Sequence, residues 1–133
     1  MLGTSGYARV PRDAYYTPAW VTEALLSQVS FRGAVWEPAA GGGDMSSVLR
    51  SAGYHVVETD IAWPDSIDFL RQQSLPDNVG SIVTNPPYNE IERFIRHALD
   101  LTWEARGMVA MLARNEFDCA GGPATCSIGY PSG

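Results

Sequence analysis

Gly33-Ala34-Val35-Trp36-Glu37-Pro38-Ala39-Ala40-Gly41-Gly42-Gly43-Asp44-Met45-Ser46-Ser47-Val48-Leu49 is the most informative run in the chain. Residues 33–37 form a short apolar stretch, which predicts a buried strand. Three adjacent glycines follow. Glycine permits positive φ and lets a ligand approach the backbone closely. Residues 44–49 then predict a helix, and Gly53 is placed to end it. Strand, glycine loop and helix together form the first half of a nucleotide-binding α/β unit. No Gly-Lys-Ser/Thr follows the glycines, which excludes a phosphate-cradling P-loop. The third position of a G-x-G-x-x-G pattern is Ser46, which weakens a dinucleotide oxidoreductase reading. Asp44 can cap the helix, approach a ligand, or do both; capping is the simplest role.

Downstream, His55–Asp60 predicts a second strand that ends in acid. An acid at that point can accept both hydroxyls of an adenosine ribose, as in dinucleotide folds. The plainer alternative is a solvated acid at a strand end. The spacing from the glycine loop favours the ribose role for Asp60. Strand alternation turns Glu58 and Thr59 to opposite faces, so Glu58 is not the expected ribose ligand. His55 reads as a structural strand residue. Ser66–Leu70 is a weak strand candidate, reached by a connection too short for a full crossover helix. Residues 71–79 read as a polar loop. Ser81-Ile82-Val83 predicts a further strand, and residues 90–101 predict a helix. Asn89 and Glu92 would form a variant capping box there. Ile91, Phe94, Ile95, Ala98 and Leu99 would share its apolar face, with Arg93, Arg96 and His97 on the other side. Residues 107–113 predict a fourth strand.

Between the third strand and that helix lies Thr84-Asn85-Pro86-Pro87-Tyr88. The carboxyl ends of strands in open α/β sheets are where ligands bind. Asn85 offers a side-chain carbonyl. Pro86 offers a backbone carbonyl held by the rigid Pro-Pro pair. Tyr88 offers a flat face. Two acceptors aimed at the N–H groups of a delocalised amine would localise its lone pair and make it nucleophilic. The alternative is a Pro-rich turn with no chemistry. Upstream, Tyr15-Tyr16-Thr17-Pro18 opens a predicted helix over 18–27, with Thr17 as N-cap and Pro18 at the first helical position. Trp20, Val21, Leu25 and Leu26 would share one face of that helix.

Asn85-Pro86-Pro87-Tyr88 resembles the catalytic motif of the class I S-adenosylmethionine-dependent amino methyltransferases. That family includes DNA adenine-N6 and cytosine-N4 enzymes and protein glutamine methyltransferases. Glu37-Pro38-x-Ala-Gly-x-Gly resembles its cofactor-binding motif, with Gly41 and Gly43 on the two family glycines. Tyr16-Thr17-Pro18 is similar to the segment that closes over the methionine end of the cofactor. Asp68-Phe69 looks like its third motif, where the acid accepts from the adenine amino group and Phe packs beside the ring; the alternative is an ordinary helix start at Asp68. The resemblance covers residues 14–118. It implies an α/β, Rossmann-like three-layer sandwich with a mostly parallel sheet and S-adenosyl-L-methionine as cofactor. The catalytic residues would be Asn85, Pro86, Pro87 and Tyr88. The cofactor would meet Tyr16, Thr17, Glu37, Pro38, Ala39, Gly41, Gly43, Asp60, Asp68, Phe69 and Asn85. Arg114–Asp118 would line the substrate side. The implied reaction is methyl transfer to an exocyclic amine, with adenine N6 in DNA leading.

Composition sets limits on this reading. The chain has 133 residues and a formal net charge of −6, and all nine basic residues are Arg. One domain is expected. Such an acidic chain binds duplex DNA poorly by itself, because phosphate contacts supply most of that affinity. Glutamine methylation of a protein fits the charge slightly better. No apolar run is long enough to span a membrane, no signal peptide is visible, and a cytoplasmic location is expected. Cys119 and Cys126 lack a His cluster, so neither a metal site nor a disulfide framework is expected. Residues 1–13 read as a flexible arm and 119–133 as a disordered Gly/Pro/Ser-rich tail. The family's last antiparallel hairpin is not found. The sequence thus reads as a C-terminally truncated or frameshifted copy, of phage or prophage type, with a bare edge on its fourth strand. A partner chain completing that edge is the alternative. A non-catalytic remnant or cofactor-binding module is the alternative function.

Overall fold

The computed structural model describes residues 17–113 and Ile128–Gly129. The elements run α1 (Ala19–Gln28), β1 (Ala34–Glu37), α2 (Asp44–Ser51), β2 (Val56–Glu58), β3 (Val79–Thr84), α3 (Ile91–Thr102), β4 (Val109–Met111) and β5 (Ile128–Gly129). The strand order is β2-β1-β3-β4-β5. The first four strands pair in parallel. The protein is therefore an α/β fold built on a mostly parallel sheet.

The strands are short and apolar because both sheet faces are covered, as parallel sheets require. Side chains alternate between the faces. Val35, Val83 and Ala110 point one way and pack with Met45 and Leu49 of α2 and with Leu25 and Leu26 of α1. Trp36, Ile82, Val109 and Met111 point the other way and pack with Phe94 and Ala98 of α3 and with Phe69. Phe69 is the centre of that layer. Its ring lies 5.1 Å from Trp36, 4.8 Å from Phe94 and 4.9 Å from His97. Burying one such ring stabilises the fold by about 2–3 kcal/mol.

Several expectations are corrected. Residues 66–70 are not a strand: Asp68 Oδ1 accepts from the Leu70 N–H at 3.0 Å and starts a 3-10 turn, Phe69–Arg71. β2 therefore stays at a sheet edge. The N-cap of α1 is Pro18, not Thr17, and no side chain caps that helix. Trp20 is 68% exposed, so it leaves the expected apolar face, and Thr22 is buried instead. No Asn89 capping box forms: Tyr88–Glu90 is a 3-10 turn and α3 starts without a side-chain cap. His97 is not on a solvated face. Its Nε2 lies 2.8 Å from the Gln72 carbonyl oxygen.

The expected bare edge of β4 is also corrected. Ile128–Gly129 pair antiparallel with Val109 and Ala110. Residues 1–16, 114–127 and 130–133 lie outside the described residues. The flexible arm, Tyr16, Arg114–Asp118, both cysteines and most of the 119–133 tail fall there. No described helix is long and apolar enough to cross a membrane.

Candidate functional site

The chain leaves β1 in one direction to form β2 and in the other to form β3 and β4. A crevice opens at such a reversal, beyond the carboxyl ends of the two central strands. Here those ends are Glu37 and Thr84, so the Glu-Pro and Asn-Pro-Pro-Tyr segments start side by side.

Glu37 ties them together. Its Oε1 accepts from the Ala39 N–H at 2.9 Å and from the Thr84 hydroxyl. The side chain is buried, and burial pushes its pKa up to about 8, aided by the nearby charges of Asp60 and Glu58. Glu37 therefore carries its proton at neutral pH. Pro38 is buried behind it and Ala39 is half-buried.

The glycine loop adopts the conformation its composition suggests. Gly41 and Gly43 have φ of 55° and 88°, a region that other residues adopt at a cost. A Cβ on Gly43 would lie 3.5 Å from Glu58 Oε2. Glu58 therefore faces the loop, while its Oε1 pairs with Arg50 at 3.2 Å. Asp60 lies just past β2 and is 1% exposed. Its Oδ2 accepts from the Gly41 N–H at 2.8 Å, and its Oδ1 accepts from the Ala62 N–H at 2.9 Å. Asp60 thus holds the loop from beneath. The carboxylate that looks across the loop is that of Glu58. Strand alternation alone could not show this, because the face that matters is set by where α2 and its loop pack.

The residues farthest apart in sequence meet at Thr17. Its N–H donates to Asp44 Oδ2 at 3.2 Å. Its Oγ1 accepts from Asn85 Nδ2 at 3.1 Å. Asp44 does not cap α2; its carboxylate anchors the segment entering α1. Nothing in the local sequence pairs Asp44 with Thr17, so only packing reveals it. Pro86 and Pro87 are buried. The Glu90 N–H donates to the Pro87 carbonyl at 2.9 Å, which turns the chain into α3. Tyr88 is 47% exposed.

Neither a family model, nor a curated protein, nor a solved structure matches the chain.

The site thus unites Thr17, Glu37, Gly41, Gly43, Asp60 and Asn85, and adds Asp44, Glu58 and Thr84. Phe69 is not with them on an open surface, since its ring is enclosed in the core. Asp68 is engaged in its 3-10 turn. A broad concavity of about 820 Å³ lies elsewhere, between residues 70–75 and the later part of α3. None of the united residues lines it, and it lies away from the carboxyl ends of the strands. The switch point is therefore the stronger site candidate, because polar groups converge there from distant parts of the chain.

Proposed function

We propose that the chain is the core of a Rossmann-like class I methyltransferase. It transfers a methyl group from S-adenosylmethionine to an exocyclic amino nitrogen, with adenine N6 in DNA as the leading substrate. The observation that carries this reading is the bond from Asn85 Nδ2 to Thr17 Oγ1. It joins the Asn-Pro-Pro-Tyr segment to the Thr-Pro segment at the mouth of the glycine loop.

The residues present fit the cofactor at its loop. Gly41 and Gly43, both at positive φ, keep the backbone open to close approach. Glu58 is the carboxylate suited to the ribose hydroxyls, with Asp60 shaping the loop beneath. Thr17 lies where the methionine end would be closed over. When bound, the cofactor supplies a methyl group already activated on a sulfonium. The protein's own contribution is positioning. The target base, flipped out of the duplex, stacks on Tyr88. Asn85 Oδ1 and the Pro86 carbonyl would accept hydrogen bonds from its amino N–H groups, which stay on the nitrogen, and so localise its lone pair. The buried prolines keep both acceptors in place.

The expected result for Asn85→Ala is loss of transfer by about a hundredfold or more, with S-adenosylmethionine still bound by calorimetry. Unchanged turnover would rule the mechanism out. Two carboxylate variants test the loop. Glu58→Gln should weaken cofactor affinity about tenfold and leave the melting temperature near wild type. Asp60→Asn should lower stability by about 1–3 kcal/mol, because it weakens the bonds from Gly41 and Ala62. Weaker binding by Asp60→Asn with no loss of stability would instead make Asp60 the ribose acceptor.

The net charge of −6 favours a second substrate for the same chemistry, the side-chain amide of a protein glutamine. Comparing transfer to unmodified DNA with transfer to a protein extract separates the two.

A further inference from the structure

We infer that Thr17 is the positioning residue that orients the Asn85 amide, and that Asp44 makes this orientation depend on the glycine loop. The inference rests on the methyl-transfer reading above for its catalytic meaning.

An asparagine side chain carries a donor end and an acceptor end, and a half-turn about its last bond exchanges them. The proposed chemistry needs the acceptor end toward the substrate amine. Asn85 would fail if its NH2 group pointed there instead, since donor would meet donor. The structure sets the donor end of the amide against Thr17. Its Oγ1 accepts from Asn85 Nδ2 at 3.1 Å, which sends Oδ1 to the opposite side of the amide carbon. Thr17 is itself buried, at 4% exposure, so water competes poorly for the bond.

Thr17 is in turn fixed from the other side. Its N–H donates to Asp44 Oδ2 at 3.2 Å. Asp44 is the first residue of α2, directly after Gly43, whose φ of 88° ends the glycine loop. A displacement of that loop moves Asp44, and with it Thr17 and the Asn85 amide. The path Gly43–Asp44–Thr17–Asn85 therefore links the loop that would hold the cofactor to the group that would hold the substrate amine. Pro18 follows Thr17 and heads α1. Its fixed φ limits how far Thr17 can swing while the helix stays in place.

Thr17→Val keeps the shape and removes the hydroxyl; Thr17→Ser keeps the hydroxyl. The first readout needs no substrate. The side-chain amide signals of Asn85, assigned by their disappearance in Asn85→Asp, should show one proton protected from exchange in wild type and in Thr17→Ser. In Thr17→Val they should shift and lose that protection. The second readout is the split between kcat and KM. Thr17→Val should lower kcat about ten- to a hundredfold, by more than any change in KM, and Thr17→Ser should recover most of the loss. Unchanged Asn85 signals or unchanged kcat in a folded Thr17→Val protein would overturn the inference while the methyl-transfer reading stands. No transfer by wild type, with the Asn85 signals still answering to Thr17, would overturn the methyl-transfer reading and support the coupling alone.

Discussion

Glu37 shows how much one buried carboxyl can decide. It is 2% exposed, and its pKa is pushed from 4.5 up to about 8 by burial. Between those two values the folded protein keeps a proton that the unfolded chain has lost. The stability tied to that proton is whole below about pH 4.5 and is lost as pH rises toward 8. The expected slope is about 1 kcal/mol per pH unit over that window. Denaturant unfolding of wild type and Glu37→Gln from pH 5 to pH 9 checks it. Wild type should lose stability across the range, and the amide variant, which still accepts from Ala39 and Thr84, should lose much less. Parallel pH profiles would refute the role. The sequence marked Glu37 as important by motif alone. It did not show that the side chain points inward between two strands, because a strand-end acid more often faces water.

At the scale of elements, the glycines at 80 and 107 decide how closely segments approach. A Cβ on Gly107 would lie 1.3 Å from the Gly80 carbonyl oxygen, and a Cβ on Gly80 would lie 2.6 Å from the Arg32 carbonyl oxygen. Three backbone segments therefore touch where β3 begins and where the chain turns into β4. Gly107→Ala should cost about 3 kcal/mol or more, since backbone cannot relax as a side chain can. Thermal melts check this, with Gly42→Ala as control, because a Cβ there meets nothing within 4 Å. A wild-type melting temperature for Gly107→Ala would contradict the packing. Element types were largely legible. The strand, glycine loop and helix at 34–51 form as expected, and α3 buries Ile91, Phe94 and Ala98 on one face. Their starts were less legible. Thr17 and Asn89 both look like caps, yet Thr17 turns to Asn85 and Asn89 lies within a 3-10 turn. A capping residue and a residue bonded across the fold have the same composition, so local pattern does not separate them.

At the scale of the whole molecule, the reversal of strand order between β1 and β3 brings the distant motifs to one end of the sheet. The order of motifs along the chain hinted at part of this, because the Glu-Pro loop, Asp60 and the Asn-Pro-Pro-Tyr segment each follow a parallel strand and so fall at the same end of the sheet. The apolar runs, the glycine loop and the period of α3 determined by sequence alone that the protein is an α/β fold with its candidate site at the strand ends, since these patterns follow from backbone sterics and burial. Which carboxylates do what depended on the tertiary structure. Asp60 lies under the loop, Glu58 faces it, Asp44 reaches back to Thr17, and Phe69 sinks into the core. Each of these is a choice of side-chain partner across many residues of chain, and such a choice is made by packing, where the competing polar groups must all find donors and acceptors at once.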